Sequence, residues 1–289
     1  MLFRFPIKDV KVDTTTEKKI IKKPTYSTGC IDLNQFEYTL DLEGIARFYA
    51  YNGNQIEVMP HVADSQSVIE LYLNGSVYGA ILHQRKTLPL HGSCFQYEGL
   101  GIMICGESGV GKSSLTASFC LSGANFLTDD VTPILFNRGK PQIWGVSDRI
   151  KLWSDSLLQL NQKEEGLERI FPRQGKFYFP VESGNQMVLL LSHVFIIQIH
   201  DVPKIWAQPL RGVEKFSALR KEIYRSEYLE GMPESERAYL EQIIAISQAV
   251  TVTKVFRPAS IPIELLRIKL EKLILMVKSD QQLLPTEIM

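Results

Sequence analysis

Gly106-Glu107-Ser108-Gly109-Val110-Gly111-Lys112-Ser113 decides the reading of this chain. Two glycines bracket four residues, and a lysine and a hydroxyl residue follow. Glycines let the backbone turn tightly enough for several N–H groups to face one phosphate, and a helix starting there adds its positive end. Lys112 supplies a full charge for outer phosphates, and the Ser113 hydroxyl can enter the coordination shell of magnesium. The nucleotide-binding stretch is therefore Gly106, Glu107, Ser108, Gly109, Val110, Gly111, Lys112, Ser113 and Ser114.

The flanks agree with that reading. Leu88-Pro89-Leu90-His91-Gly92, Phe95-Gln96-Tyr97, a Glu98-Gly99 turn and the run Leu100 to Cys105 read as a hairpin ending in a buried strand. Leu115 to Leu121 continues as a short helix stopped by Gly123. Strand, loop and helix follow in the order that phosphate binding requires.

Farther on, Asn125 to Phe136 reads as a strand interrupted by Asp129-Asp130, expected to run beside the strand that feeds the loop. Successive strand residues face opposite sides, so the two carboxylates can divide their duties. One can hold magnesium while the other takes the proton of a hydroxyl acceptor. Further strands are expected over Gln142 to Val146, Phe177 to Pro180 and Met187 to Ile199. Helices are expected over Val213 to Tyr228, Glu234 to Ser247 and Ile263 to Val277.

Before the loop, residues 8 to 28 show neither helical nor strand period and read as a mobile lead-in. From Cys30 to Gln84, short aromatic and branched runs punctuated by Asn52-Gly53 and Asn74-Gly75 predict β-hairpins. Residues 1–86 are thus a lead-in with a β-rich module, and 87–289 the nucleotide-binding domain. The 289 residues, 45% apolar, suffice for a sizeable core. Lysine plus arginine and aspartate plus glutamate are 32 each, which recommends neither nucleic acid nor an anionic membrane as partner. The four cysteines lack metal or redox spacing, and no apolar run approaches a membrane span, so a cytoplasmic protein is expected.

The combination of His91-Gly92, the hairpin, the loop, and Leu127-Thr128-Asp129-Asp130-Val131 resembles the catalytic domain of bacterial HPr kinase/phosphorylase, whose fold is related to phosphoenolpyruvate carboxykinase. The resemblance is strong over residues 87 to 150. It implies an α/β fold, a P-loop-containing mixed sheet with C-terminal helices, preceded here by the small β-rich module. It also implies ATP or GTP as phosphoryl donor with magnesium. Asp129 would be the general base, Asp130 and Ser113 the magnesium-side residues, and His91 and Lys112 catalytic partners near the transferred group.

The family's second signature, a glycine- and arginine-containing loop, is not found, so neither the reverse reaction nor HPr as acceptor is carried over. Trp144 to Trp153 resembles shorter HPr-kinase-like proteins, including kinases of a serine in lasso precursor peptides. A serine of a peptide or protein is the acceptor this implies. Arg149, Lys151, Arg173 and Lys176 are candidate phosphate or substrate contacts. A kinase of a small free hydroxyl compound such as serine, and a nucleotide-binding regulator without phosphotransfer, are the competing readings. Homo-oligomerisation is left open.

Overall fold

Alternation along Leu100–Cys105 organises the chain. Ile102 and Ile104 face one side, Met103 and Cys105 the other, and all four are fully buried. A strand of this kind needs cover on both faces. The computed structural model describes residues 3, 5–61, 66–170, 174–184, 187–201 and 203–282, the last six as backbone alone, and it supplies that cover.

The N-terminal strands β1 (Lys11–Thr14), β2 (Tyr26–Ser27), β3 (Ile31–Leu33), β4 (Glu37–Leu42), β5 (Ala46–Tyr51) and β6 (Gln55–Pro60) form a sheet in the order β1-β6-β5-β4-β3-β2. β1 joins β6 in parallel, and the remaining pairs are antiparallel. Asn52 and Gly53 turn β5 into β6, both at positive φ, as expected of an Asn-Gly turn. The stretch expected as a lead-in carries β1 and β2. It is fastened by main-chain bonds and by Arg47, which donates twice to the Lys19 carbonyl, and such anchoring leaves no side-chain period to read.

The second Asn-Gly pair makes no hairpin. Asn74 and Gly75 lie in a π-helical turn, Leu73–Val77, joining α1 (Gln66–Tyr72) to α2 (Tyr78–Gln84). Ile69, Leu73, Val77 and Ile81 recur every four residues and are buried. That helical period outweighs the turn preference of one dipeptide.

The rest of the chain follows as β7 (Pro89–Tyr97), β8 (Leu100–Cys105), α3 (Lys112–Leu121), β9 (Asn125–Thr128), β10 (Val131–Asn137), β11 (Lys140–Trp144), β12 (Arg149–Trp153), α4 (Ser154–Gln159), β13 (Glu168–Arg169), β14 (Lys176–Pro180), β15 (Val188–Ile199), β16 (Trp206–Pro209), α5 (Gly212–Lys221), α6 (Pro233–Ala249), β17 (Thr251–Arg257) and α7 (Ile263–Gln282). The central sheet runs β11-β10-β7-β8-β15-β17-β16, with β9 on β7 and β11 also reaching β15. β15 is parallel to both β8 and β17; the other pairs are antiparallel, so the sheet is mixed.

β9 was expected beside the strand feeding the loop. Instead β7 lies between them, because β8 uses one edge for its hairpin partner β7 and the other for β15. The helix expected over Val213 to Tyr228 also stops early, at Lys221. Beyond it Ile223 bridges Leu90 and the Tyr224 amide donates to the Pro89 carbonyl, pairings a continuing helix would forbid. A 3-10 turn, Ser226–Glu230, follows.

α3 and α7 cover the Ile102 and Ile104 face with Leu115, Phe119, Leu266 and Leu270. α5 and α6 cover the opposite face with Leu219, Tyr239, Ile243 and Ile246. Each such buried side chain contributes about 1.5–3 kcal/mol relative to exposure. A small sheet, β12-β14-β13, packs Ile150, Leu152, Phe177 and Phe179 against Ala117 and Phe126. The N-terminal sheet shares its core with Val131, Tyr224, Tyr228 and Met232, and the buried Tyr38 and Tyr228 hydroxyls meet at 2.8 Å.

His83 is sealed into this junction. Its Nε2 donates to the Tyr224 carbonyl at 2.8 Å, and its Nδ1 lies 3.1 Å from the Tyr239 hydroxyl, which also reaches the Thr87 carbonyl. Burial pushes its pKa down from 6.5 to about 4, and burial does the same to His193. The unfolded chain therefore binds more protons than the folded one in that interval. Stability measured by urea unfolding should be full above about pH 6.5 and fall as pH drops towards 4, by on the order of a few kcal/mol. His83→Gln should flatten part of that decline.

Candidate functional site

At Cys105 the chain leaves the central sheet and must turn against it. Gly106 does so at φ 131, where a β-carbon would lie 2.3 Å from the Ile197 carbonyl oxygen of β15. Only glycine fits that approach. Gly109 and Gly111 also take positive φ, and Gly111 leads directly into α3 without a side-chain cap. The first amides of α3 are thus left for an anion.

Two distant residues shape this loop. Arg257, at the end of β17, donates from Nε at 3.2 Å and Nη2 at 2.9 Å to the Val110 carbonyl. Glu222, just past α5, accepts the Gly106 N–H at 3.1 Å, while its own carbonyl accepts the His91 N–H. Burial raises the Glu222 pKa, against the opposing pull of that N–H, His91 and Lys112. Lys112 lies folded along the loop, donating to the Gly106 carbonyl at 2.7 Å and the Glu107 carbonyl at 3.0 Å.

The acid pair meets the loop from across β7. The Ser113 hydroxyl donates to Asp129 Oδ1 at 2.8 Å, and the Lys151 amide donates to Asp129 Oδ2 at 3.1 Å. Asp130 sits at φ 75, in the left-handed region that non-glycine residues seldom occupy. The turn carries its carboxylate to Lys151 Nζ at 2.9 Å and His91 Nε2 at 3.4 Å. Burial alone would raise the Asp130 pKa, but the Lys151 charge and the hydrogen bonds from His91 and Lys151 hold it well below the usual carboxylate range. Burial opposes the Lys151 charge in turn, and Asp130 and Asp129 override it.

Ser113, Asp129, Asp130, His91 and Lys151 line one cleft of about 670 Å³, together with Trp153, Ser156 and Lys176. Burial, and then the nearby Lys151 charge, lower the Lys176 pKa; its ammonium lies 5.0 Å from the centre of the Trp153 ring. Ser114 donates to Ser156 Oγ at 2.8 Å, tying α3 to α4. The sequence reading set Asp130 with Ser113 on the magnesium side, whereas the fold brings Asp129 to Ser113. Of the candidate cationic contacts, Lys151 and Lys176 line the cleft. Arg149 is turned aside, paired with Glu168 at 2.8 Å and Glu70 at 3.6 Å and stacked on Tyr178. Arg173 lies outside the described residues.

Ser113, with the acid pair beside it, presents only oxygen donors, which suits magnesium, an ion that commonly takes carboxylate, hydroxyl, substrate phosphate and water oxygens. Among the described residues no cluster of three or more histidine, cysteine or acidic side chains is arranged to hold a metal by itself. That is compatible with an ion completed by phosphates. Sequence reasoning missed Glu222 and Arg257. Neither left a readable pattern: Arg257 only follows Val255-Phe256 before Pro258, and Glu222 stands among ordinary charges of a helical stretch.

No protein-family model matches the chain, and no curated protein does. Among solved structures it is similar to the Hpr(Ser) kinase/phosphatase from Coxiella burnetii, at 12% identity over 67% of this chain and 98% of that one, with a TM-score of 0.37. A likeness of that size carries no weight for the site, which stands on its own geometry. Among the described residues no helix is long and apolar enough to cross a membrane.

The Asp130 pKa gives a test in the magnesium-free protein. A carboxylate held below its ordinary range lends stability that is present above that range and is lost only as pH falls well beneath it. Lys151→Met should move Asp130 back towards the ordinary range, read by carbon-13 NMR of the aspartate carboxyls. An unmoved Asp130 titration would refute the pairing.

Proposed function

We propose that the chain is an HPr-kinase-like phosphotransferase that moves the terminal phosphoryl group of ATP or GTP, with magnesium, to a serine hydroxyl of a peptide or protein. The observation that carries the reading is the 2.8 Å hydrogen bond joining Ser113 of the phosphate loop to Asp129 of the acid pair, in a cleft that also holds His91, Asp130 and Lys151.

In this reading the loop amides and the start of α3 bind the phosphates. Lys112 exchanges its two loop carbonyls for the outer phosphate oxygens. Magnesium, when bound, would be held by Ser113 together with phosphate oxygens and water, and would supply charge neutralisation of the phosphates. The acceptor oxygen bonds to the γ-phosphorus as the bond to the β–γ bridging oxygen breaks, releasing the nucleoside diphosphate, and the hydroxyl proton goes to Asp129.

The two carboxylates differ in a way that supports this division. Asp130 is held as a fixed charge by Lys151 and His91, which makes it a reluctant proton acceptor. Among the described residues the hydrogen bonds to Asp129 come from a hydroxyl and an amide, both neutral donors, and no ion pair within 4 Å is formed. Asp130 in turn fixes Lys151 and His91 beside the transferred group. Lys151 and Lys176 meet its charge, and the remaining catalysis is positioning.

Labelled triphosphate with magnesium and a lysate peptide mixture tests the proposal. Asp129→Asn should keep nucleotide affinity within a few-fold of wild type and lower transfer by about 10³-fold or more, the loss expected of a general base. Lys112→Ala should weaken nucleotide binding itself, and His91→Ala should lower transfer more than affinity. Normal turnover by Asp129→Asn would remove it as the base. Nucleotide binding with no labelled acceptor would leave a regulator rather than a kinase.

A further inference from the structure

The cleft has two ends, and consecutive residues of α3 reach them. Ser113 turns towards one, where it meets Asp129 of the acid pair at 2.8 Å. Ser114 turns towards the other and donates to Ser156 Oγ of α4, also at 2.8 Å. At about 670 Å³ the cleft has the size of a pocket for a whole small ligand.

Trp153 stands at the Ser156 end. It closes β12, lines the cleft and is 47% exposed. Its neighbours fix it there. Ser154 donates from its amide at 2.8 Å and from its hydroxyl at 3.2 Å to the Gly175 carbonyl, and a β-carbon on Gly175 would lie 2.2 Å from Ser154 Oγ. Lys176 is paired with Trp153 across the two strands, its ammonium over the ring. Apart from His91 beside Asp130, Trp153 is the only aromatic residue among the described lining of the cleft.

A single exposed aromatic on open surface is ordinary. An indole left half in water inside a cleft forgoes part of the free energy that its burial would supply. Serines, glycines and charged groups make up the other walls at this end, so the ring is the one flat apolar surface there. Flat apolar surface is what a nucleic base stacks on. A nucleotide with its last phosphate at Asp129 and its phosphate chain along the first turn of α3 has its nucleoside end towards Ser114, Ser156 and Trp153.

We infer that Trp153 is the platform on which the base of the donor nucleotide stacks, which makes this end of the cleft a purine subsite. The inference rests on the proposed use of a nucleoside triphosphate. Stacking grows with shared ring area, so purines bind better than pyrimidines. A stacked indole reads no base edge, so the platform does not separate adenine from guanine.

Calorimetric titration of the full chain with magnesium tests this, using ADP, GDP, CDP and inorganic pyrophosphate, which has phosphates and no base. In the wild type ADP and GDP should bind about tenfold or more tighter than pyrophosphate, with CDP between them. Trp153→Leu should weaken ADP and GDP by about fivefold or more and leave the Kd of pyrophosphate within about twofold of wild type. Trp153→Phe, which keeps a ring, should hold ADP within about threefold of wild type. It should also lose the quenching of tryptophan emission that ADP produces in the wild type. If Trp153→Leu fails to fold, that quenching decides alone.

Unchanged ADP affinity in Trp153→Leu, ADP no tighter than pyrophosphate in the wild type, equal weakening of both by Trp153→Leu, or quenching that persists in Trp153→Phe overturns the platform and leaves the phosphate loop standing. A wild type that binds neither the nucleotides nor pyrophosphate removes the nucleotide reading, and the subsite with it.

Discussion

The contact between Gly106 and the Ile197 carbonyl is the constraint on which the site depends. β8 ends against a parallel neighbour, so the phosphate loop turns over the backbone of β15 rather than in open solvent. That packing sets where the loop amides point. It also sets where Ser113 meets Asp129, since the first turn of α3 has no freedom once Gly106 and Gly111 are placed. Arg257 and Glu222 secure the loop at its middle and its start, and both act on main-chain atoms.

Across the cleft, the same economy is visible in the acid pair. Two adjacent carboxylates would repel each other if they faced one point. The left-handed turn at Asp130 sends them to different partners, a hydroxyl and an amide for one, an ammonium and an imidazole for the other. Strain at one residue is thereby exchanged for two carboxylates with different partners within a single turn.

The sequence was most legible where chemistry and local geometry coincide. The loop, the β7–β8 hairpin, α3 and the strand broken at Asp129-Asp130 follow from glycine placement and short-range periodicity, and each lies where it was expected in the chain. What the sequence hid was set by partners far away. Asn74-Gly75 looked like a turn because the dipeptide says so locally, yet the buried series from Ile69 to Ile81 made it helical. β1 and β2 are held by main-chain pairing, which side-chain patterning cannot register. The assignment of Ser113 to Asp129 rather than Asp130 depends on one φ angle, and no residue type announces that.

Arg257 has a consequence for how the molecule comes into being. The carbonyl it grips, on Val110, lies 147 positions earlier, and the Glu222 contact to Gly106 spans 116. At a synthesis rate of 5–20 residues per second, the glycine motif emerges on the order of ten seconds before its last anchor exists. During that interval the segment lacks the two contacts that shape it, so a phosphate ligand of the kind proposed would act as a late clamp, stabilising a chain whose distant ends of the site have already met.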